Sequence, residues 1–214
     1  SDLVFWELID SRLNLSFSCI LVLGMITEPF ISVWLSPNYL LGKEVLILVC
    51  VLSFLSINRQ TVDSFIAGYG LFQDVFAPAI EAVINLSVAI GLGYLWDIVG
   101  VQCGTLASTL IIVYGWKPYF LYTRGFNRNP WHEYFIPMLW RWSLLAVNGI
   151  VFFSLAEALR PESLDNYISI GIYFVVLSII VVPSIYIQFY FLTPGTRRFH
   201  ARIVGLIRNK LQRH

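Results

Sequence analysis

Arg59 and Asp63 stand four residues apart inside a long run of apolar side chains, and Glu81 and Asn85 repeat that spacing in the next apolar run. Residues four apart share one face of a helix. A guanidinium beside a carboxylate can pair with it, or it can turn its planar fork toward phosphate oxygens and bind them bidentately. The two runs are joined by a short turn at 68–74, so they read as antiparallel neighbours. Arg59 and Glu81 lie about seven and about six residues from the shared end, hence at similar depth. The spacing predicts an Arg59–Asp63 or an Arg59–Glu81 pair. Its functional reading is a cation facing an aqueous cavity, where it meets an anionic headgroup such as a diphosphate, with Asp63, Glu81 and Asn85 orienting it. Its structural reading is an ion pair that fixes helix register. Glu28, directly before Pro29, is a candidate coupling carboxylate, or a side chain reaching for the interface beside a proline bend.

These charges call for a reason because of what surrounds them. The chain has 214 residues, of which 57% are hydrophobic and only 13% charged. Its mean hydropathy is +0.73. Soluble domains carry about one-quarter charged residues, and disorder needs still more charge, so both classes are excluded. A charge inside a bilayer costs about 2.5 kcal/mol or more. The net charge of +1 supplies no basic field for nucleic acid. Cys19, Cys50 and Cys103 all lie in apolar runs without metal-ligand spacing, and the histidines are scattered. No Walker A, nucleophile-elbow, HExxH or GxGxxG pattern occurs, so neither an enzyme activity nor a metal or cofactor is predicted.

The expected fold is therefore all-α and polytopic. Six apolar segments, at 15–35, 44–66, 75–96, 100–122, 135–156 and 168–192, are long enough to cross a membrane. Residues 1–14 mix charged and aromatic side chains and read as an interfacial segment or the tail of an earlier helix. Ser1 stands where an initiator Met is expected, which predicts a fragment or a processed product. Of the 14 Lys and Arg, 11 fall on the side shared by the two termini, two (Lys43 and Arg160) on the other, and Arg59 lies within the membrane. The positive-inside rule then places both termini in the cytoplasm. Residues 193–214 form a basic amphipathic tail, expected to lie on the anionic inner leaflet as a lipid or partner switch or as a topological anchor.

Two further patterns concern packing. Glu81, Asn85, Ala89 and Gly93 form a polar-to-small stripe, answered by Gly100, Gly104 and Ser108 in the next segment. Such rows let helices approach closely in lipid, or they line a cavity. Trp116, Tyr119, Tyr122, Trp131, Tyr134, Trp140 and Trp142 read as an interfacial aromatic belt, with a sugar-stacking platform as the sharper alternative.

Residues 15–122 resemble the C-terminal part of bacterial polysaccharide-repeat flippases, the O-antigen and capsule exporters of the multidrug/oligosaccharidyl-lipid/polysaccharide superfamily. The resemblance rests on Glu28-Pro29-Phe30-Ile31-Ser32-Val33-Trp34-Leu35-Ser36-Pro37-Asn38-Tyr39, on Asn85-Leu86-Ser87 within a span, and on Gly100-Val101 followed by Gly104-Thr105-Leu106-Ala107-Ser108. It implies a transporter of two helical bundles that turns a polyprenyl-diphosphate-linked oligosaccharide across the bacterial inner membrane by alternating access. This chain supplies one bundle, so an N-terminal bundle or a partner chain is implied along with membrane lipids. The same motifs fit a MATE-like exporter of cationic drugs, which needs an accessible carboxylate, Glu28 or Asp63, in place of an essential Arg. A membrane-embedded polysaccharide polymerase is a third reading, and it requires a large outward loop.

Overall fold

The computed structural model describes residues 2–161 and 164–211. With no helix-breaking turn before Ser36-Pro37-Asn38, the first helix, α1 (Asp2–Trp34), runs unbroken for 33 residues, about 50 Å at 1.5 Å per residue. Residues 2–14, expected as a separate interfacial or helix-tail segment, are the opening turns of this same helix. They look interfacial because they are charged, but Glu7, Asp10 and Asn14 are buried. A short turn at Pro37–Tyr39 leads to α2 (Lys43–Gly68).

The next helical run, Ala77–Ser108, breaks at Trp96 (φ −130°, ψ 20°) and Asp97 (φ 49°, ψ −127°). There the chain folds back on itself. We call the limb before the break α3 (77–95) and the limb after it α4 (98–126). Wider turns loosen α4 at Thr109–Trp116 and Leu121–Phe126, and it ends at Asn127, which takes the left-handed conformation that asparagine tolerates. The small-residue rows are the seam of this hairpin. A Cβ on Gly104 would lie 2.7 Å from the Asn85 carbonyl oxygen and the Ala89 nitrogen, and Gly93 faces Val101. Asn85 Nδ2 donates to Thr105 Oγ1 across the seam at 3.4 Å.

Helix α5 (Ile136–Ala158) follows wide turns at Trp131–Phe135, α6 (Tyr167–Leu192) is capped by the Asn166 side chain, and α7 is Pro194–Leu211. Among the described residues, five helical runs are long and apolar enough to cross a membrane, and the 50-residue run 77–126 is the one that doubles back. Counting its two limbs separately, helices occupy each of the six segments expected to cross. The molecule is an all-α, multi-pass membrane bundle.

Its centre is α1, which packs along both α2 and α6; α7 lies against its N-terminal half, and the α3–α4 hairpin packs on α2. Leu13, Val22, Leu177, Ile185 and Phe189 fill the interior, while Leu23, Ile90, Tyr94, Ile150 and Ile179 point outward, as lipid-facing residues do.

Two expectations change. Tyr122 and Tyr134 belong to no interfacial belt: both are almost fully buried around Phe5, at ring distances of 5.8 and 6.2 Å. Trp116, Tyr119, Trp131 and Trp140 remain exposed. Arg141, counted among the orienting cations, is buried instead. Its guanidinium bonds both carboxylate oxygens of Asp10, the second at 3.1 Å, and lies 4.1 Å above the Trp6 ring. Asp10 also accepts the Gly195 N–H at 3.1 Å, so one carboxylate joins α1, α5 and the start of α7. Gly195 has no side chain because a Cβ there would run into Asp10 and the Trp6 carbonyl. Further along, Arg202 pairs with Glu7 at 2.9 Å. The basic tail is therefore docked on α1.

Removing one member of a buried ion pair leaves the other charge uncompensated. Asp10→Ala is expected to cost about 3–5 kcal/mol and Gly104→Leu about 1–3 kcal/mol through overpacking of the hairpin seam. Thermal unfolding in detergent micelles checks both, with the lipid-facing Ile90→Leu as an unperturbed control.

Candidate functional site

The turn at 68–74 brings the end of α2 beside the start of α3, and the antiparallel return of α4 adds its far end to the same place. Arg59 Nε lies 3.5 Å from Asp63 Oδ2, one helical turn away. Its Nη1 lies 3.3 Å from Glu81 Oε1 on α3. Both expected pairs therefore form, through one side chain. The sequence reading missed the fourth member: Lys117 Nζ on α4 donates to Asp63 Oδ1 at 2.6 Å. It had counted as an orienting cation because it follows an apolar stretch. A lysine about one helical turn inside the predicted span end was the available signal.

Asp63 thus has one oxygen on each cation, and Arg59 spans two carboxylates. Two cations and two anions cancel, which lowers the cost of holding them inside an apolar bundle. The cluster is not sealed. Side-chain exposure is 32% for Arg59, 37% for Asp63, 18% for Glu81 and 11% for Lys117. Asp63 and Lys117 border a cavity of about 200 Å³ lined also by Ile66, Phe72, Asp74 and Pro78. Among the described residues, the ammonium of Lys117 is the one cation in that lining, beside the carboxylates of Asp63 and Asp74, and Arg59 lies behind Asp63.

Two predicted site residues stand apart. Asn85 is one turn beyond Glu81, but its amide is spent on Thr105 in the hairpin seam. Glu28 sits at the opposite end of the bundle, where it lines a small cavity with Lys43, Glu157 and Arg160. Among the described residues, no group of three or more His, Cys, Asp or Glu is placed to hold a metal ion.

The chain matches no protein-family model, no curated protein and no solved structure.

The cluster makes an asymmetric prediction. Glu81→Gln leaves Arg59 its bond to Asp63, whereas Asp63→Asn strips a partner from both cations. Asp63→Asn should lower stability by about 2 kcal/mol, clearly more than Glu81→Gln. Adding Lys117→Met to Asp63→Asn should restore part of the loss, because the better-buried stranded charge is then gone. Melting temperatures of the three variants in detergent test the order. Equal losses would mean that Asp63 does not hold both cations.

Proposed function

We propose that this chain is the C-terminal membrane bundle of a flippase that carries a polyprenyl-diphosphate-linked oligosaccharide across the bacterial cytoplasmic membrane for polysaccharide synthesis. It works with an N-terminal bundle or a partner chain that closes the other side of the path. The observation that carries this reading is that one carboxylate, Asp63, joins the half-buried Arg59 to the buried Lys117 inside a membrane bundle, with Asp63 and Lys117 lining a cavity.

In this reading the carboxylates are place-holders. At rest Asp63 and Glu81 satisfy Arg59, and Asp63 satisfies Lys117. When the diphosphate arrives, its oxygens take over the guanidinium fork and the ammonium, bonds that are charge-assisted and therefore strong. Arg59 then loosens its hold on Glu81, the ion pair linking α2 to α3. Headgroup binding and a shift between those helices are coupled through this one exchange, and alternating access needs such coupling. Both oxygens of Asp63 are already held by cations, which leaves it unavailable to the cationic drugs of a MATE-like exporter. The surplus of Lys and Arg on the side of the termini supports a cytoplasmic location for both of them, even with Arg141 and Lys117 discounted as buried residues.

Arg59→Ala should reduce surface polysaccharide at least about tenfold, equivalent to losing about 1.4 kcal/mol of headgroup binding, with the protein still present in the membrane at its normal level. Arg59→Lys should restore only part, because an ammonium cannot bind two oxygens in a fork. Unchanged polysaccharide at normal protein level would remove Arg59 from the substrate path. A change in drug resistance with intact polysaccharide would favour the drug exporter.

A further inference from the structure

The end of the bundle away from Arg59 carries a second feature. Helices α2 and α5 stand apart there across α1, leaving a crevice about 280 Å³ in volume. Its walls are apolar: Phe17 and Leu21 of α1, Cys50, Val51 and Phe54 of α2, and Phe153 of α5. Phe17 and Phe54 meet edge to face at 5.9 Å at its deep end. Toward the end of the bundle the crevice runs into a mouth of about 70 Å³, which shares Gly24, Met25, Leu46, Ile47 and Phe153 with it. The mouth is charged, being lined by Glu28, Lys43, Glu157 and Arg160.

We infer that this crevice binds one zwitterionic phospholipid with a primary ammonium headgroup, phosphate toward Lys43 and Arg160, ammonium toward Glu28 and Glu157, and an acyl chain between α2 and α5. Shape and charge at the crevice both complement such a lipid. An apolar slot that opens into a charged mouth fits an amphiphile and excludes a wholly polar solute. The mouth holds two cations and two anions, so its charge sums to zero. A headgroup carrying only phosphate would face Glu28 and Glu157 with like charge, and a purely cationic one would face Lys43 and Arg160. A headgroup with both signs meets each with its opposite. A primary ammonium brings three N–H donors for the two carboxylates, which a quaternary ammonium lacks. The hydroxyl of Tyr173, also at the mouth, is already spent on the Ala156 carbonyl at 2.7 Å. This inference stands apart from the flippase reading: none of its residues belongs to the Arg59 cluster.

The test is native mass spectrometry of the full chain in detergent, offered an equimolar mixture of phosphatidylethanolamine, phosphatidylcholine and phosphatidylglycerol. One phosphatidylethanolamine should be retained per chain, about tenfold over phosphatidylglycerol, the ratio that 1.4 kcal/mol provides. Val51→Trp, at a partly exposed wall position, should fill the slot and abolish retention, whereas Ile150→Trp on the outer face of α5 should leave it intact. Glu28→Gln with Glu157→Gln should erase the preference for phosphatidylethanolamine while lipid is still bound. A photoreactive acyl chain should cross-link within residues 47–54. Retention of phosphatidylglycerol equal to or above phosphatidylethanolamine would overturn the headgroup assignment. No retained lipid, or retention that Val51→Trp leaves unchanged, would overturn the site.

Discussion

The architecture depends on one carboxylate. Asp10 is completely buried, and its two oxygens accept the Arg141 guanidinium from α5 and the Gly195 N–H from the first turn of α7. In lipid there is little hydrophobic force between helices, since the surrounding chains are as apolar as the side chains they would replace. Polar links and close packing must hold the bundle together. Asp10 places such a link on the central helix, at the point where α1, α5 and α7 converge, and the Trp6 ring covers the guanidinium from above. Around this point the tail runs along α1 to the Glu7–Arg202 pair, and Phe5 gathers Tyr122 and Tyr134 into an aromatic core.

The two charge systems of the bundle differ in a way that matters for what each can do. The Asp10–Arg141 pair is closed, with side-chain exposures of 0% and 8%. A ligand would have to dismantle packing to reach it. The Arg59 cluster is open on one side and its partners are redundant, because Arg59 has two carboxylates and Asp63 two cations. Redundancy lets one bond be exchanged while the others hold. Burial, more than residue type, separates a structural ion pair from a site.

Much of this was readable from local spacing. The Arg59–Asp63 and Glu81–Asn85 intervals, the short turn at 68–74 and the facing rows of small residues point to the α2–α3 contact and the α3–α4 seam without any long-range information. Features that depend on distant partners were not readable. Asp10 finds Arg141 and Gly195 at separations of 131 and 185 residues, so residues 1–14 presented only scattered charge with no visible reason for burial. Lys117 and Arg141 passed for topological cations because a lysine or arginine near a span end has the same local pattern whether it faces water or a buried acid. Tyr122 and Tyr134 were misassigned for the same reason, since a belt and a core draw on the same aromatic residues.

The reversal at Trp96 and Asp97 also bears on how topology can be probed. Only two non-helical residues separate limbs packed as closely as Gly104 on Ala89, so no free length of chain lies between them. Sharing one seam, the two limbs behave as a single helical hairpin. Neither Trp96 nor Asp97 carries a positive charge that could anchor the turn on either side. The cations at the end of α4 and just after it, Arg124 and Arg128, stand at the hairpin's far end and not at its turn. An epitope or protease site placed at the turn would not report topology passively, because it would strain the seam beside it.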